Sequence, residues 1–171
     1  TLVIRFPRQL HAVQSGETLS SIARAYGTTV RRLWQNNWAL GGESALRPGQ
    51  VLVISYEGET LGTAVLNGYA YPYIDPALLD AQLPFLTALA PFTYGINASG
   101  GLLPLSDDAL LSAARQRGTQ PVMHLSTLTE NGQFDTSRAA LVLTDSAVQD
   151  QLISEVHQTI LRRGYRGLDV D

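Results

Sequence analysis

Cysteine and lysine are both absent from this chain, and methionine occurs only once. Without cysteine there are no disulfides and no thiolate metal sites, and the redox compartment goes unmarked. Without lysine, arginine supplies every positive side chain, and the formal net charge of -3 excludes the basic field that nucleic-acid binding needs. No apolar run approaches the roughly 20 residues of a membrane span. No secretory leader opens the chain at Thr1.

What remains is globular composition, with 44% hydrophobic and 16% charged residues. The charge is uneven. Residues 1 to 54 carry six arginines against two glutamates, whereas residues 55 to 171 carry six arginines against thirteen acids. Two bodies of opposite sign are therefore expected. The basic part suits either an anionic polymer or an ordinary solvated surface.

A short echo marks the organisation. Thr1-Leu2-Val3-Ile4 resembles Val51-Leu52-Val53-Ile54 about fifty residues later. Between them, His11 to Gln14 reads as a strand and Ser15-Gly16 as a turn. Leu19, Ile22, Ala23 and Tyr26 recur at helical spacing after Thr18 as N-cap and before Gly27 as terminator. Thr28 or Thr29 caps a second helix with Val30, Leu33 and Trp34 on one face. Trp34 is expected in the core and Trp38 exposed. A turn at Leu46 to Gln50 then returns the chain to a strand over Val51 to Ile54.

Beyond residue 62 the period changes. Strand-like runs at 63–71, 90–97, 121–128 and 167–171 alternate with helical stretches at 76–88, 107–117 and 146–163, a βα pattern that predicts parallel strands. A side hairpin is expected near 101–105. Val148, Leu152, Val156 and Ile160 make the helix from Ser146 the clearest, with Gly164 after its end.

Residues 11 to 54 resemble LysM domains. The match rests on Val13, Gly16-Glu17-Thr18-Leu19, Ile22-Ala23, Tyr26 to Val30, Leu33, Asn36 or Asn37, and Leu46 to Leu52. The resemblance implies a groove for N-acetylglucosamine units between Gly16, Glu17, Thr18, Leu19 and Ser20 on one loop and Ala45, Leu46, Arg47, Pro48 and Gly49 on another. Small residues there let the backbone approach a sugar closely. Read on their own, Gly16, Thr18 and Pro48 are equally turn and cap residues.

Residues 63 to 171 resemble the N-terminal part of family 18 glycoside hydrolases, most closely the LysM-bearing spore cortex and wall glucosaminidases of spore-forming bacteria. Asn67 to Pro72, Leu89 to Gly95 and Gly164 to Asp171 carry the likeness. The family signature, D-x-x-D-x-D-x-E, is matched from its second acid onward by Asp169 and Asp171. Arg166 stands at the first acidic position, and His124 to Leu128 replaces a serine-glycine-glycine element. Alternation along a strand aims Asp169 and Asp171 at one face, with Leu168 and Val170 toward surrounding helices. Crowded carboxyls have their proton affinities pushed apart.

In the family the acid is a glutamate two positions past Asp171. The acetamido oxygen of the substrate is the nucleophile. Resemblance assigns Asp171 to orienting that group and Asp169 to supporting Asp171. Tyr71, Phe92, Tyr94 and Asn97 sit near strand ends, where barrels of this kind bind substrate, and are candidates to floor the cleft. His124 reads as a core histidine without a role.

The expected fold is α/β, a small βααβ LysM module followed by an incomplete (β/α)8 barrel of about four units. The expected bounds are the tail of an upstream repeat over 1–8, LysM over 9–55, a linker over 56–62 and the barrel half over 63–171. A whole barrel takes about 250 residues. The chain is thus expected to be a segment of a longer protein and inactive by itself, lacking the catalytic glutamate. The resemblance implies a parent enzyme acting on peptidoglycan, cortex or chitin in the cell wall, spore or extracellular space, with no cofactor, metal, nucleic acid or membrane as partner. The competing expectation is a non-catalytic, chitinase-like glycan-binding protein, distinguished by whether that glutamate follows.

Overall fold

Capping chemistry sets the start of the first helix, α1 (Leu19–Ala25). Thr18 is extended, its hydroxyl accepts from the Ser21 N–H, and the Ser21 hydroxyl accepts the Thr18 N–H in return. Two donors that the first turn leaves orphaned are thereby satisfied. Gly27, at a φ of 61°, ends the turn in a conformation that costs other residues energy. Thr29 rather than Thr28 caps α2 (Val30–Asn36), its side chain accepting from the Arg32 N–H.

The structure is a computed structural model that describes residues 5–40, 45–58 and 62–171. It divides into two units, one of residues 1–65 with 75–85 and one of 66–74 with 86–171. Residues 1–4 of the expected echo and part of the expected linker lie outside the described residues.

In the first unit β1 (Pro7–Ala12) pairs antiparallel with β2 (Val51–Tyr56), from Pro7 opposite Tyr56 to Ala12 opposite Val51. The first strand starts four residues before the sequence expectation because β2 runs on to Tyr56 and offers it a partner. Pro7, read as the tail of a preceding repeat, thus pairs with this module's own second strand. Leu52 and Ile54 alternate inward from β2 and meet Val13, Leu19, Ile22, Ala23, Leu33 and Leu40 in one core. Trp34 packs against that core, and Trp38 is 77% exposed. Asn37 ties the helical layer to the strand. Its Nδ2 donates to the carbonyls of Leu33 and Val53, and its Oδ1 accepts the Val53 N–H at 2.8 Å. Helix α3 (Pro76–Gln82), capped by Asp75, also belongs to this unit. Arg31 and Gln35 of α2 both donate to the Pro84 carbonyl just beyond it.

The second unit is built on parallel pairing. β3 (Asn67–Ala70) pairs with β4 (Ala88–Pro91), and β4 pairs with β7 (Gln120–Pro121). Further along, β8 (Met123–Leu125) pairs with β9 (Leu168–Val170), and Tyr94 bridges to Leu125. The run expected over 90–97 is split: after β4 the Phe92–Thr93 peptide is cis, and β5 (Gly95–Ile96) turns to pair antiparallel with β6 (Leu102–Leu103), the expected side hairpin. Gly95 is required there, because a Cβ would meet the Leu128 carbonyl oxygen at 2.3 Å.

Helix α4 (Asp108–Gln116) follows as expected. α5 (Thr136–Thr144) was not legible in the sequence, since it buries no residue and so shows no clean apolar stripe. α6 (Ser146–Arg163) matches the sequence reading, burying Val148, Leu152 and Val156 and ending at Gly164 with a φ of 68°. Leu111, Met123, Leu125, Leu152, Val156, Tyr94, Ile96 and Tyr165 form this unit's core. Among the described residues no helix is long and apolar enough to cross a membrane.

Candidate active site and glycan groove

The register of β8 against β9 sets His124 directly opposite Asp169. On a parallel ladder paired residues project to the same face, so this pairing brings an imidazole and a carboxylate together. From β3, the Tyr69 hydroxyl donates to Asp169 Oδ2 at 2.8 Å. Its phenol is held above the usual range, first by that hydrogen bond and then by the charges of Asp169 and Asp171. Asp171 continues the ladder, its N–H donating to the Leu125 carbonyl.

A cavity of about 430 Å³ opens here, lined by Tyr69, Ala70, Tyr71, Phe92, His124, Asp169, Val170 and Asp171. Both acids of the sequence pattern therefore face one space. Around it stands an aromatic wall. Tyr71 stacks on Tyr73 and meets Phe92 edge-on, each at 5.1 Å between ring centroids, and Phe92 reaches Phe134 at 6.3 Å. Such surfaces pair an apolar face with polar edges, as a sugar ring does.

Two of the four expected cleft residues, Tyr71 and Phe92, line the cavity, whereas Tyr94 and Asn97 do not. Tyr94 is only 4% exposed, and its hydroxyl donates to Asp107 Oδ2 at 2.8 Å. Tyr165 and Arg163 also bond to the fully buried Asp107, so Tyr94 belongs to a polar knot inside the core. Burial, followed by the bond to Asp107, raises the Tyr94 phenol to about 12, and the same causes raise Tyr165 further. Asn97 closes the side hairpin, its Oδ1 accepting from the N–H groups of Ser99 and Gly101.

The expectation that Leu168 and Val170 face helices is also corrected. They are 42% and 66% exposed, because among the described elements β9 pairs only with β8. Sequence reasoning missed Tyr69, Tyr73, Phe134 and His124. The alternation of Tyr69, Tyr71 and Tyr73 was a usable signal for the first two. For His124 no local pattern separates a cavity-lining position from a core one.

In the first unit the two groove loops meet at Val13. Its N–H donates to the Gln50 carbonyl and its carbonyl accepts from Gly49, both at 2.8 Å. Glu17 Oε2 takes the Gln14 N–H and the His11 Nε2 contact, both at 2.7 Å, and His11 Nδ1 lies 3.1 Å from the Tyr26 hydroxyl. The Gln14 backbone bond, then His11, hold the Glu17 carboxyl below the usual range.

Of the residues assigned to the groove, Gly16, Ser20, Ala45, Arg47, Pro48 and Gly49 are exposed, as a sugar-facing surface requires. Leu19 is buried in the core, and Leu46 packs partly against it. Thr18 is occupied in capping α1, and Glu17 in bracing its loop.

Residues 11–55 match the model of the LysM domain. Over 223 aligned positions the chain is 27% identical to a cortical fragment-lytic enzyme of Bacillus anthracis, covering 95% of this chain and 50% of the relative. The crystal structure of the Bacillus cereus spore cortex-lytic enzyme SleL superposes with a TM-score of 0.57 at 28% identity, over 95% of this chain and 38% of that one. A chitinase of Chromobacterium violaceum shares the fold of 63% of the chain, with a TM-score of 0.53 at 23% identity over 35% of its own length. The chain thus spans half or less of the length of each relative it matches. It carries a LysM domain and is similar, over nearly all of its residues, to spore cortex-lytic enzymes that share an α/β fold with chitinases.

Proposed function

We propose that this chain is the glycan-gripping and acid-bearing part of a family 18-like hydrolase that cleaves N-acetylglucosaminyl linkages in peptidoglycan, spore cortex or chitin. In this reading residues 9–55 are the LysM module, 56–62 a linker and 63–171 the opening half of a (β/α)8 barrel. The convergence of Asp169 and Asp171 on one cavity carries the proposal.

When the acetamido oxygen attacks the anomeric carbon, positive charge builds on the acetamido group. A fixed carboxylate beside it stabilises that charge more in the transition state than in the ground state. Asp171 fills this role, and Asp169 supports it. The proton for the leaving sugar oxygen comes from the family glutamate two positions past Asp171. The attack forms a cyclic oxazolinium, and water then opens it with retention of configuration. LysM holds the enzyme on the polymer and raises its local concentration without touching the chemistry.

Proton–nitrogen NMR titration of the 171-residue chain with chitohexaose tests this. Saturable shifts are expected at amides of residues 16–20 and 45–49 and around Tyr69, Asp169 and Asp171, with no sugar released. The Asp171→Ala variant should lose the cavity shifts and keep those of the loops. Cavity shifts that persist in that variant, or release of shorter sugars by the 171-residue chain, would refute the assignment.

A further inference from the structure

His124 has more order around it than packing demands. The side chain is almost fully buried, at 2% exposure, yet it lines the cavity. Its Nδ1 lies 2.6 Å from Thr93 Oγ1 and its Nε2 3.9 Å from Asp169 Oδ2. The ring is clamped edge-on to Tyr69 at 5.3 Å and tilted against Phe92 at 4.9 Å.

Neutral imidazole has one donor and one acceptor nitrogen, and its neighbours choose between them. With the proton on Nδ1, the Nε2 lone pair would face the Asp169 carboxylate and the two would repel. With the proton on Nε2, the N–H dipole points its positive end at Asp169, and Nδ1 accepts the Thr93 hydroxyl proton. Thr93 Oγ1 also sits 3.1 Å from the Ser126 hydroxyl, which can donate to it in turn. The second arrangement satisfies every group named.

We propose that His124 is a positioning residue for Asp169. Thr93 fixes the imidazole with its proton on Nε2, and that proton, together with the Tyr69 hydroxyl, holds the Asp169 carboxylate in place beneath Asp171. At 3.9 Å the influence is electrostatic and not a direct hydrogen bond. The role rests on the hydrolase reading above, although the coupling between His124 and Asp169 is a property of the site itself.

Long-range proton–nitrogen NMR of the imidazole, recorded on the 171-residue chain where the ring is neutral, reads the tautomer directly. The wild-type chain should show Nε2–H alone. Asp169→Ala removes the carboxylate at a partly exposed position, and the Nδ1–H form should then become populated, because Thr93 can turn its hydroxyl to the Tyr94 or His124 carbonyl. A histidine that merely fills the core would show the same tautomer in both. In parallel, His124→Leu should weaken chitohexaose binding at the cavity about tenfold, and His124→Gln, which keeps a donor near Nε2, should restore most of it.

An Nδ1–H wild-type ring, or a tautomer indifferent to residue 169, overturns the proposal even where chitohexaose binds. If the tautomer responds but chitohexaose leaves the cavity untouched, the His124–Asp169 coupling stands and the hydrolase reading falls.

Discussion

In the first unit the polar side chains that organise the structure are mostly neutral and reach for backbone. Asn37 spans from α2 to β2, Thr18 and Thr29 cap helices, and Gln35 meets the Pro84 carbonyl. In the second unit the organising groups are charged or phenolic and reach for one another. Asp107 gathers Tyr94, Tyr165 and Arg163 in the core, and Asp169 gathers Tyr69 and His124 at the cavity. The difference follows from the task. A module that grips a neutral sugar polymer needs exposed backbone and stiff loops. A site that stabilises charge must hold carboxylates apart from water, and any partner lost there leaves a buried polar group unpaired.

The contrast breaks most readily at Asp107. Asp107→Ala leaves two buried phenols and a guanidinium without their common partner and should cost the second unit about 3–5 kcal/mol. Met123 is the sole methionine and is fully buried in the second unit, while both tryptophans lie in the first. Denaturant unfolding followed by the Met123 methyl resonance should therefore shift strongly while the tryptophan fluorescence transition holds still. Equal shifts in both signals would abolish the distinction between the units.

Alkali should separate the units next. Tyr94 and Tyr165 are raised in the folded state, Tyr94 to about 12, so the folded unit keeps protons that the unfolded chain has released. The stability they contribute is complete below the ordinary phenol value and is lost as pH rises from there through the folded one. For Tyr94 alone this amounts to about 2 kcal/mol. The Met123 signal should report unfolding at lower denaturant as pH climbs toward 12, with Tyr94→Phe flattening the dependence.

Asn37→Ala reverses the direction, costing the first unit about 1–2 kcal/mol by leaving the Val53 N–H and two carbonyls unmet. Tryptophan fluorescence should register it and Met123 should not. The smallest effect is expected at Glu17. Its folded-state value is depressed, so the contribution is present above the ordinary carboxylate range and fades as pH falls through the folded value. Hydrogen exchange at the Gln14 amide should accelerate in acid, and Glu17→Gln should remove most of that pH dependence; an exchange rate indifferent to both would detach Glu17 from the loop.

Local rules made much of this readable in advance. The Thr18 cap, the glycines at 27 and 164, and the four-residue spacing of Val148, Leu152 and Val156 are nearest-neighbour effects, and the structure has each of them. The pairing of Asp169 with Asp171 on one cavity was equally local, since two residues apart on a strand share a face. Helix α5 escaped because nothing buries it, and the first strand was placed late because its partner's length was unknown.

The chain's own order of residues thus determined where helices begin and end, which segments alternate, and that two acids would point the same way. Only the tertiary structure decided which neighbours they meet. Tyr94 and His124 both read as ordinary strand residues, yet one is drawn into a knot around Asp107 and the other is set across a ladder from Asp169. Register and burial made that choice. They depend on contacts between segments dozens of residues apart, which no local pattern encodes.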